Sequence, residues 1–154
     1  MIIFKIYNMN NQTLDFKINR ALSEIEGLIS EYLQIEEDKL ISNGNVAICI
    51  ITPNGIVYGK MFGNDKPRLR HSYKIAWTKA SQVWLTGVKT GDYETLVFNK
   101  IIDENANGID APDLIGWQGG QPIVLNDGTT LSIGFSGFRG ITDLEIVTRA
   151  FKDL

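Results

Sequence analysis

A serine set between glycines, with an arginine close behind it, is the feature of this sequence that points most directly to chemistry. It lies in LSIGFSGFRG, residues 131–140, where a strand pattern passes through Ser136 into a helix pattern. α/β hydrolases hold their nucleophile at such a junction, in the motif G-x-S-x-G. Here the second glycine, Gly137, comes one position early, and the only histidine, His71, lies upstream of the serine. Catalysis by Ser136 is therefore the weaker interpretation, beside a structural turn or a hydroxyl that faces a ligand.

The same turn predicts a site for an anion. Small residues after a strand let backbone N–H groups approach a ligand, and the start of the following helix favours negative charge. Arg139 adds a fixed positive charge of the kind that binds carboxylate or phosphate. We therefore expect Ser136, Gly137 and Arg139 to contact an anionic ligand.

His71 opens a predicted helix, next to several basic residues. It is either an exposed residue at a helix start or an axial ligand for the iron of a haem-like macrocycle, because imidazole is a common nitrogen ligand of metals. Without a second histidine or a C-x-x-C motif, a dedicated zinc site is not expected. The neighbouring cations form either a solvated face or an anion-attracting rim beside His71: they are Lys66, Arg68, Arg70, Lys74 and Lys79.

The segment DENANGIDAPDL, residues 103–114, resembles a calcium-binding loop. Asp103, Asn105 and Asn107 take the first, third and fifth places of an EF-hand loop, and glycine follows at the sixth. The twelfth place, which needs a bidentate glutamate, holds Leu114. The segment is therefore either a calcium site or a turn rich in Asp and Asn.

Length and composition favour one globular domain over residues 1–154. A chain of this length can bury its own core, and 44% hydrophobic with 21% charged residues is ordinary for a soluble domain. The net charge of -3 gives no reason to expect a nucleic-acid partner, and no apolar run approaches membrane length. Without an N-terminal secretory pattern, we expect a cytoplasmic protein with no membrane partner. Cys49 lies in an apolar run and is predicted to be a small buried side chain.

Hydrophobic periodicity predicts a helix, two strands, two helices, two strands and a final helix. The helical patterns cover 16–35, 71–87, 92–103 and 141–154, and the hairpins cover 45–63 and 121–135. Residues 1–12 are expected to form an arm or a short strand. Consecutive hairpins imply a largely antiparallel sheet with helices on its faces, which makes an α+β domain.

The three tryptophans have different predicted places. Trp77 and Trp84 share one helical face, which belongs either to the core or to a subunit interface. Trp117 lies among glycines and is predicted to line a pocket.

A set of short glycine motifs fills the C-terminal third. In order, these are GGQPI at 119–123, DG at 127–128, IGFSG at 133–137, and Asp143 at the following helix start. Upstream, Ala76, Lys79 and Ala80 match an A..KA helix, and ITPNGIVYGKMFGND at 51–65 matches a hairpin. On these residues the chain resembles the GlcG/HbpS-like family, which includes the C-terminal domain of PduO-type corrinoid adenosyltransferases. The hairpin turn lacks the usual aspartate, and the loop over 103–116 is longer than usual.

This resemblance implies a profilin-like sandwich, a small antiparallel sheet with helices on both faces, that forms dimers or larger homo-oligomers. Some members are linked to haem or corrinoid binding, and others to glycolate and diol utilisation. The ligand is then expected between the helix of His71 and Lys79 and the turn at Ser136 and Gly137. Trp117, Gly120 and Arg139 are further expected contacts.

The leading prediction is an oligomeric binding protein for haem or another anionic tetrapyrrole, with His71 on the iron and no catalytic residue. One alternative is an enzyme that uses Ser136 or Asp143 on a small hydroxy-acid-type metabolite. The other is an accessory or structural oligomer without catalysis.

Overall fold

The computed structural model describes the backbone of residues 2–154 and the side chains of residues 13–154. Its first element, α1, is a helix over Ile2–Tyr32. The short strand predicted within residues 1–12 is therefore wrong, since the backbone there is helical from Ile2. The isoleucines at positions 2, 3 and 6 favour a strand only weakly, and neither glycine nor proline interrupts the helix before Gly27.

Four more helices and two hairpins follow α1 in the described chain. The helices are α2 (Glu36–Ser42), α3 (Lys66–Thr86), α4 (Thr90–Phe98) and α5 (Gly140–Phe151), and the strands are β1 (Val46–Ile51), β2 (Val57–Phe62), β3 (Gly120–Val124) and β4 (Thr130–Ser136). The predicted order of helices and hairpins is confirmed, and α2 is an addition to it. α3 begins five residues before its predicted start, because the side chain of Asp65 accepts the Arg68 N–H and Pro67 fits a first helical turn.

The four strands form one antiparallel sheet in the order β2-β1-β4-β3. The two hairpins lie side by side because β1 pairs with β4, with Cys49 opposite Gly134. Helices cover both faces of the sheet, so the predicted α+β class with a profilin-like sandwich is confirmed. None of the helices in the described residues is long and apolar enough to cross a membrane.

One face of the sheet carries large apolar side chains beneath α1 and α5. Alternate residues of the two central strands point to this face, and all of them are fully buried: Val46, Ile48, Ile50, Leu131, Ile133 and Phe135. The helical stripe predicted for α1 meets them through Ile18, Ala21 and Ile25. This face is the main hydrophobic core.

The opposite face packs α3 against small residues. Ala47 and Cys49 of β1 meet Ala76 and Ala80 of α3. At Gly134 of β4, an added Cβ would lie 2.1 Å from the carbonyl oxygen of Ala76. The backbone of α3 therefore rests directly on the strand, which only glycine permits at this position.

The close packing of α3 on the sheet buries Cys49 and leaves two tryptophans of the helix partly exposed. Cys49 is fully buried as predicted, the hydroxyl of Tyr73 donates to its sulfur over 3.9 Å, and burial raises the pKa of the thiol to about 11. Trp77 and Trp84 are 44% and 47% exposed, which excludes the core alternative for them and leaves the subunit interface as a prediction. They lie on the flank of α3 beyond the small residues that face the sheet.

Candidate ligand site

A cavity of about 330 Å³ opens between α3, the end of β4 and the start of α5. Helical spacing places Arg68, His71, Ile75 and Lys79 on the side of α3 that lines it. Six of the seven residues that the sequence analysis assigned to a ligand line this one cavity: His71, Lys79, Trp117, Ser136, Gly137 and Arg139.

The floor of the cavity is a buried ion pair between α3 and α5. Lys79 Nζ lies 3.4 Å from Asp143 Oδ2 and donates to the carbonyl oxygen of Phe135 over 2.8 Å. Both charged side chains are only 3% exposed. The other carboxylate oxygen, Asp143 Oδ1, accepts the backbone N–H of Phe138 over 3.0 Å. The pair therefore ties the helix to the turn that closes the site.

Burial displaces both groups of this pair toward their neutral forms. Loss of solvent lowers the pKa of Lys79, although the nearby carboxylate opposes the change. The same loss raises the pKa of Asp143 to about 8, against the opposing effects of the ammonium and the Phe138 N–H. Ionisable groups with such displaced pKa values inside a cavity are candidates for a functional site.

The turn after Ser136 offers a ligand fewer donors than its sequence predicts. The Phe138 N–H is bound by Asp143, and the Arg139 N–H donates to Asp38 Oδ1 over 3.0 Å. Gly137 and Gly140 remain as the small residues of the turn that face the cavity. The turn is thus held from inside the protein by two aspartates.

Arg139 lines the cavity, but its guanidinium is occupied by carboxylates. Nε and Nη2 each lie 3.1 Å from an oxygen of the fully buried Asp38, and Nη1 lies 2.8 Å from Glu37. Thr142 donates its hydroxyl to the same aspartate over 2.8 Å. Burial alone would raise the pKa of Asp38, but the bonds from Arg139 and Thr142 hold it below its ordinary value. Arg139 therefore fixes α2 to the start of α5 and has no free charge to offer a carboxylate.

Sequence reasoning missed Asp38. It lies in the charge run EEDK at the start of α2, which reads as a solvated face, and nothing in that pattern distinguishes the buried acid from its exposed neighbours. The only feature of the sequence that points to a buried acid is Arg139, because its charge needs a counter-ion somewhere in the fold.

The rim of the cavity carries an unpaired cation, an imidazole and an indole. Arg68 reaches from α3 to the carbonyl oxygen of Ile41 over 2.8 Å, and among the described residues it has no carboxylate partner. His71 is exposed one turn further along α3. Trp117 is 66% exposed at the mouth, in the loop before β3. These three side chains are the ones that an incoming ligand would meet first.

Ser136 and Gly120 are both held within the paired strands of the sheet. Ser136 is the last residue of β4, lies opposite Ala47 in the sheet and is 7% exposed. Within the described residues no hydrogen bond joins it to His71, so the pairing of nucleophile and base that serine catalysis requires does not form. Gly120 lies outside the cavity lining: it pairs with Gly134, and an added Cβ would meet Thr90 at 2.5 Å.

The loop that resembles a calcium site is held by its own hydrogen bonds. The carboxylate of Asp103 accepts the Asn105 N–H over 2.9 Å, and the amide of Asn107 donates to the hydroxyl of Tyr93 over 3.0 Å. A 3-10 turn, Ala111–Asp113, lies at the end of this segment, whereas an EF-hand loop leads into a second α-helix. Across residues 13–154 no three side chains of the His, Cys, Asp or Glu type are gathered for a metal. These contacts fit the turn alternative, and calcium binding stays a prediction from spacing.

Solved structures share this fold, whereas no protein-family model and no curated protein matches the chain. PduOC in its complex with haem is 18% identical, with a TM-score of 0.59 over 87% of this chain and 91% of that one. Klebsiella pneumoniae protein ORFY is 16% identical, with a TM-score of 0.59 over 87% and 89% of the two chains. A double mutant of Streptomyces reticuli HbpS is 18% identical, with a TM-score of 0.55 over 84% and 80%.

These likenesses establish the fold. They confirm, at that level, the resemblance that the glycine motifs predict, and they cover more than four fifths of the chain.

Proposed function

We propose that this chain binds an anionic, flat ligand in the cavity between α3 and the turn after β4, and that haem is such a ligand. The observation that carries the proposal is that six residues assigned to a ligand from the sequence meet at one cavity, although Lys79 and Arg139 are paired there with Asp143 and Asp38. Residues from α3, the loop before β3, the end of β4 and the start of α5 meet there although they are far apart in the sequence. The fold shared with the PduOC complex with haem supports the choice of ligand.

The rim supplies a group for each part of a haem. His71 offers an imidazole nitrogen to the iron, Arg68 offers an unpaired guanidinium to a propionate, and Trp117 offers an aromatic face to the macrocycle. A cavity of about 330 Å³ is at the small end of the range for ligand sites. The cavity would therefore enclose only part of the macrocycle, and the exposed Trp117 would be available to contact the rest.

Titration with haemin tests the proposal, with protein from which any histidine tag has been removed. We expect a Soret shift in the native chain, its loss in His71→Ala, and partial recovery of the shift when imidazole is added to that variant. Arg68→Ala should weaken binding about tenfold, the effect of one charge-assisted hydrogen bond. Arg70→Ala is the matched control, because it removes the same charge from α3 outside the cavity lining. The absence of a shift, or an identical one in His71→Ala, would contradict the proposal.

A second candidate function is acid–base catalysis on a small hydroxy acid. The observation that favours it is the buried pair of Lys79 and Asp143, whose pKa values are displaced toward each other inside a cavity. Turnover of a substrate found by screening should then fall at least about a hundredfold in Asp143→Asn and stay unchanged in Ser136→Ala. The reverse pattern would assign the chemistry to the serine instead.

A further inference from the structure

We propose that the inner end of the ligand cavity is a subsite for one carboxylate of the ligand, held by the hydroxyls of Ser72 and Ser136 and by the ammonium of Lys79. One premise comes from the proposed function, namely that the ligand binds in this cavity. The subsite adds Ser72 to the residues that meet the ligand. It leaves out Arg139, because Asp38 already occupies that guanidinium.

Ser72 and Ser136 are buried serines that line the cavity, and neither hydroxyl has a hydrogen-bond partner among residues 13–154. Ser72 is 2% exposed and Ser136 is 7% exposed. Neither oxygen is sealed off, because no buried side-chain oxygen or nitrogen in this part of the chain lacks both a partner and access to solvent. Buried polar groups are nearly always hydrogen-bonded, so two free hydroxyls in one cavity indicate a partner from outside the chain.

The hydroxyl of Ser72 differs from the other hydroxyls of α3. Thr78 and Ser81 donate to the carbonyl oxygens four residues back in the helix, over 2.8 and 2.7 Å. Such a bond is a common way for a serine or threonine within a helix to satisfy its hydroxyl. Ser72 forms no such bond with the carbonyl oxygen of Arg68, so its hydroxyl stays available to the cavity.

The packing of α3 on β4 brings the two serines to the same end of the contact. Ala76 lies directly over Gly134, where an added Cβ would be 2.1 Å from its carbonyl oxygen. From that point Ser72 lies about 6 Å back along the helix, and Ser136 lies about 6.6 Å further along the strand. The two steps run in the same direction, because the C-terminal end of α3 is bound to Thr52 at the far end of the sheet.

Lys79 supplies a positive charge at this inner end. An ammonium has three N–H donors, and the described residues provide two acceptors, the carbonyl oxygen of Phe135 at 2.8 Å and Asp143 Oδ2 at 3.4 Å. One N–H is therefore left for a ligand. Together with the two serine hydroxyls, it makes three donors around the inner end of the cavity.

These donors fit a carboxylate better than a phosphate. A carboxylate carries one negative charge, and its two oxygens can accept about four hydrogen bonds. Burial raises the pKa of Asp143 to about 8, so this carboxyl is mostly protonated at pH 7 and repels a single charge only weakly. A phosphate carries close to two charges at that pH, against one ammonium. The carboxylate belongs either to a macrocycle such as haem or to a free small carboxylic acid.

Titration with sodium acetate at pH 7 tests the subsite without haem. Against sodium chloride of the same ionic strength, we expect saturable shifts of the backbone amide resonances of residues 72 and 134–137. The dissociation constant should rise at least about tenfold in Ser72→Ala and in Ser136→Ala, the effect of one charge-assisted hydrogen bond. Ser132→Ala is the matched control, because this serine lies on the same face of β4 and is also 7% exposed, but lies outside the cavity lining.

Three results of this titration would overturn the subsite. The absence of a saturable shift would mean that water alone occupies the inner end. An equal loss of affinity in Ser132→Ala would remove the role of the cavity serines. Inorganic phosphate that binds as tightly as acetate would contradict the choice of a carboxylate.

Urea unfolding separates a ligand contact from a structural role. Ser72→Ala removes a hydroxyl that has no partner, so its unfolding midpoint should not fall below that of the native chain. Thr142→Ala is the comparison, because it removes a buried hydroxyl that donates to Asp38, and its midpoint should fall. An equal fall in both variants would show that the Ser72 hydroxyl is needed for the fold and would overturn its assignment to a ligand.

Haemin and its dimethyl ester, which has no free carboxylate, distinguish the two sources. If the macrocycle supplies the carboxylate, the native chain should bind haemin at least about tenfold more tightly than the ester, and Ser72→Ala should narrow that ratio. If a free acid supplies it, Ser72→Ala should leave the ratio unchanged, and acetate should bind equally well to the haemin complex. A free hydroxy acid that is turned over should then show a higher KM in Ser136→Ala with the same turnover at saturation.

The two probes also separate this subsite from haem binding itself. A chain that binds acetate and gives no Soret shift with haemin contradicts haem as the ligand and supports the subsite. A chain that gives the Soret shift and does not bind acetate supports haem as the ligand and overturns the subsite.

Discussion

The two faces of the sheet are built on opposite principles although they share the same strands. Under α1 and α5, residues such as Ile133 and Phe135 are large, apolar and fully buried. Under α3, the alternate positions of the same strand are Ser132, Gly134 and Ser136. The face under α1 and α5 excludes water with large side chains. On the face under α3, the helix lies so close to the strands that it buries polar side chains between them.

This difference separates stability from binding. The large face supplies most of the buried apolar area, so its side chains should set the free energy of unfolding. The small face supplies the cavity, the buried ion pair and the fixed turn, so its residues should set ligand binding. A single strand, β4, contributes to both through its alternating side chains.

Phe135→Ala should give the largest loss of stability. It removes a fully buried ring from the large face, and such truncations cost about 3–5 kcal/mol. Its backbone carbonyl, which accepts from Lys79, remains in place. Urea unfolding measures the loss, and haemin affinity of the folded variant should stay within about threefold of native. A large fall in affinity would show that the two faces are not separable.

Lys79→Met should cost about 3 kcal/mol at pH 9, because the ionised form of the buried Asp143 then has no cation beside it. The pKa of Asp143 is already raised by burial, and loss of the ammonium raises it further. A raised folded-state pKa contributes stability at low pH that is lost as pH rises above the unfolded value of about 4. The native carboxyl shows the same loss only up to its pKa of about 8, so the deficit should be smaller at pH 6 than at pH 9. Adding Asp143→Asn should remove that dependence, and a deficit independent of pH in the single variant would contradict this account.

Gly134→Ala should cost about 1–3 kcal/mol and weaken haemin binding, because the new methyl group displaces α3 from β4. The matched control is Gly27→Ala in the exposed part of α1, where an added Cβ meets nothing within 4 Å. That change should raise stability by up to about 1 kcal/mol, since alanine favours a helix. Equal effects at the two glycines would argue against close packing of α3 as the basis of the small face.

Asp38→Asn should have the smallest effect, about 1–2 kcal/mol at pH 7, because one strong acceptor of Arg139 and Thr142 is weakened. The folded-state pKa of Asp38 is lowered by those donors, so its contribution is present above pH about 4 and is lost as pH falls. Native and variant unfolding curves should converge below that pH. Thr148→Ala, an exposed hydroxyl on the same helix as Thr142, gives the control for a general effect on α5.

Much of the fold follows from the sequence because its main signals are local. The stripe of Ile18, Ala21 and Ile25 defines a helix face, and the turns at 53–55 and 127–128 define two hairpins. The start of α5 is less local. Thr142 and Glu145 have the spacing of a capping box, yet the helix begins at Gly140 and Thr142 bonds to Asp38 instead.

The sequence predicts several residues that line the candidate site, but not the ion pairs and hydrogen bonds that they form. Glycine motifs and residue types bring His71, Lys79 and Ser136 to attention, and the structure gathers them around one cavity. The engagement of Arg139 by Asp38 joins residues 101 positions apart, and no local pattern encodes such a pairing. For the same reason Arg68, one of several similar cations in sequence, emerges as the free charge at the rim only in three dimensions.

Cys49 gives this molecule a built-in reporter of its own opening. With its sulfur sealed between β1 and α3 and its pKa raised to about 11, the thiol is almost wholly protonated and shielded at neutral pH. Reaction with a thiol reagent must then wait until α3 lifts from the sheet. The rate of labelling measures how often that helix separates while the large core stays intact. A ligand that bridges α3 and the turn after β4 would lower the rate of labelling, so the labelling rate of Cys49 would report occupancy of the cavity.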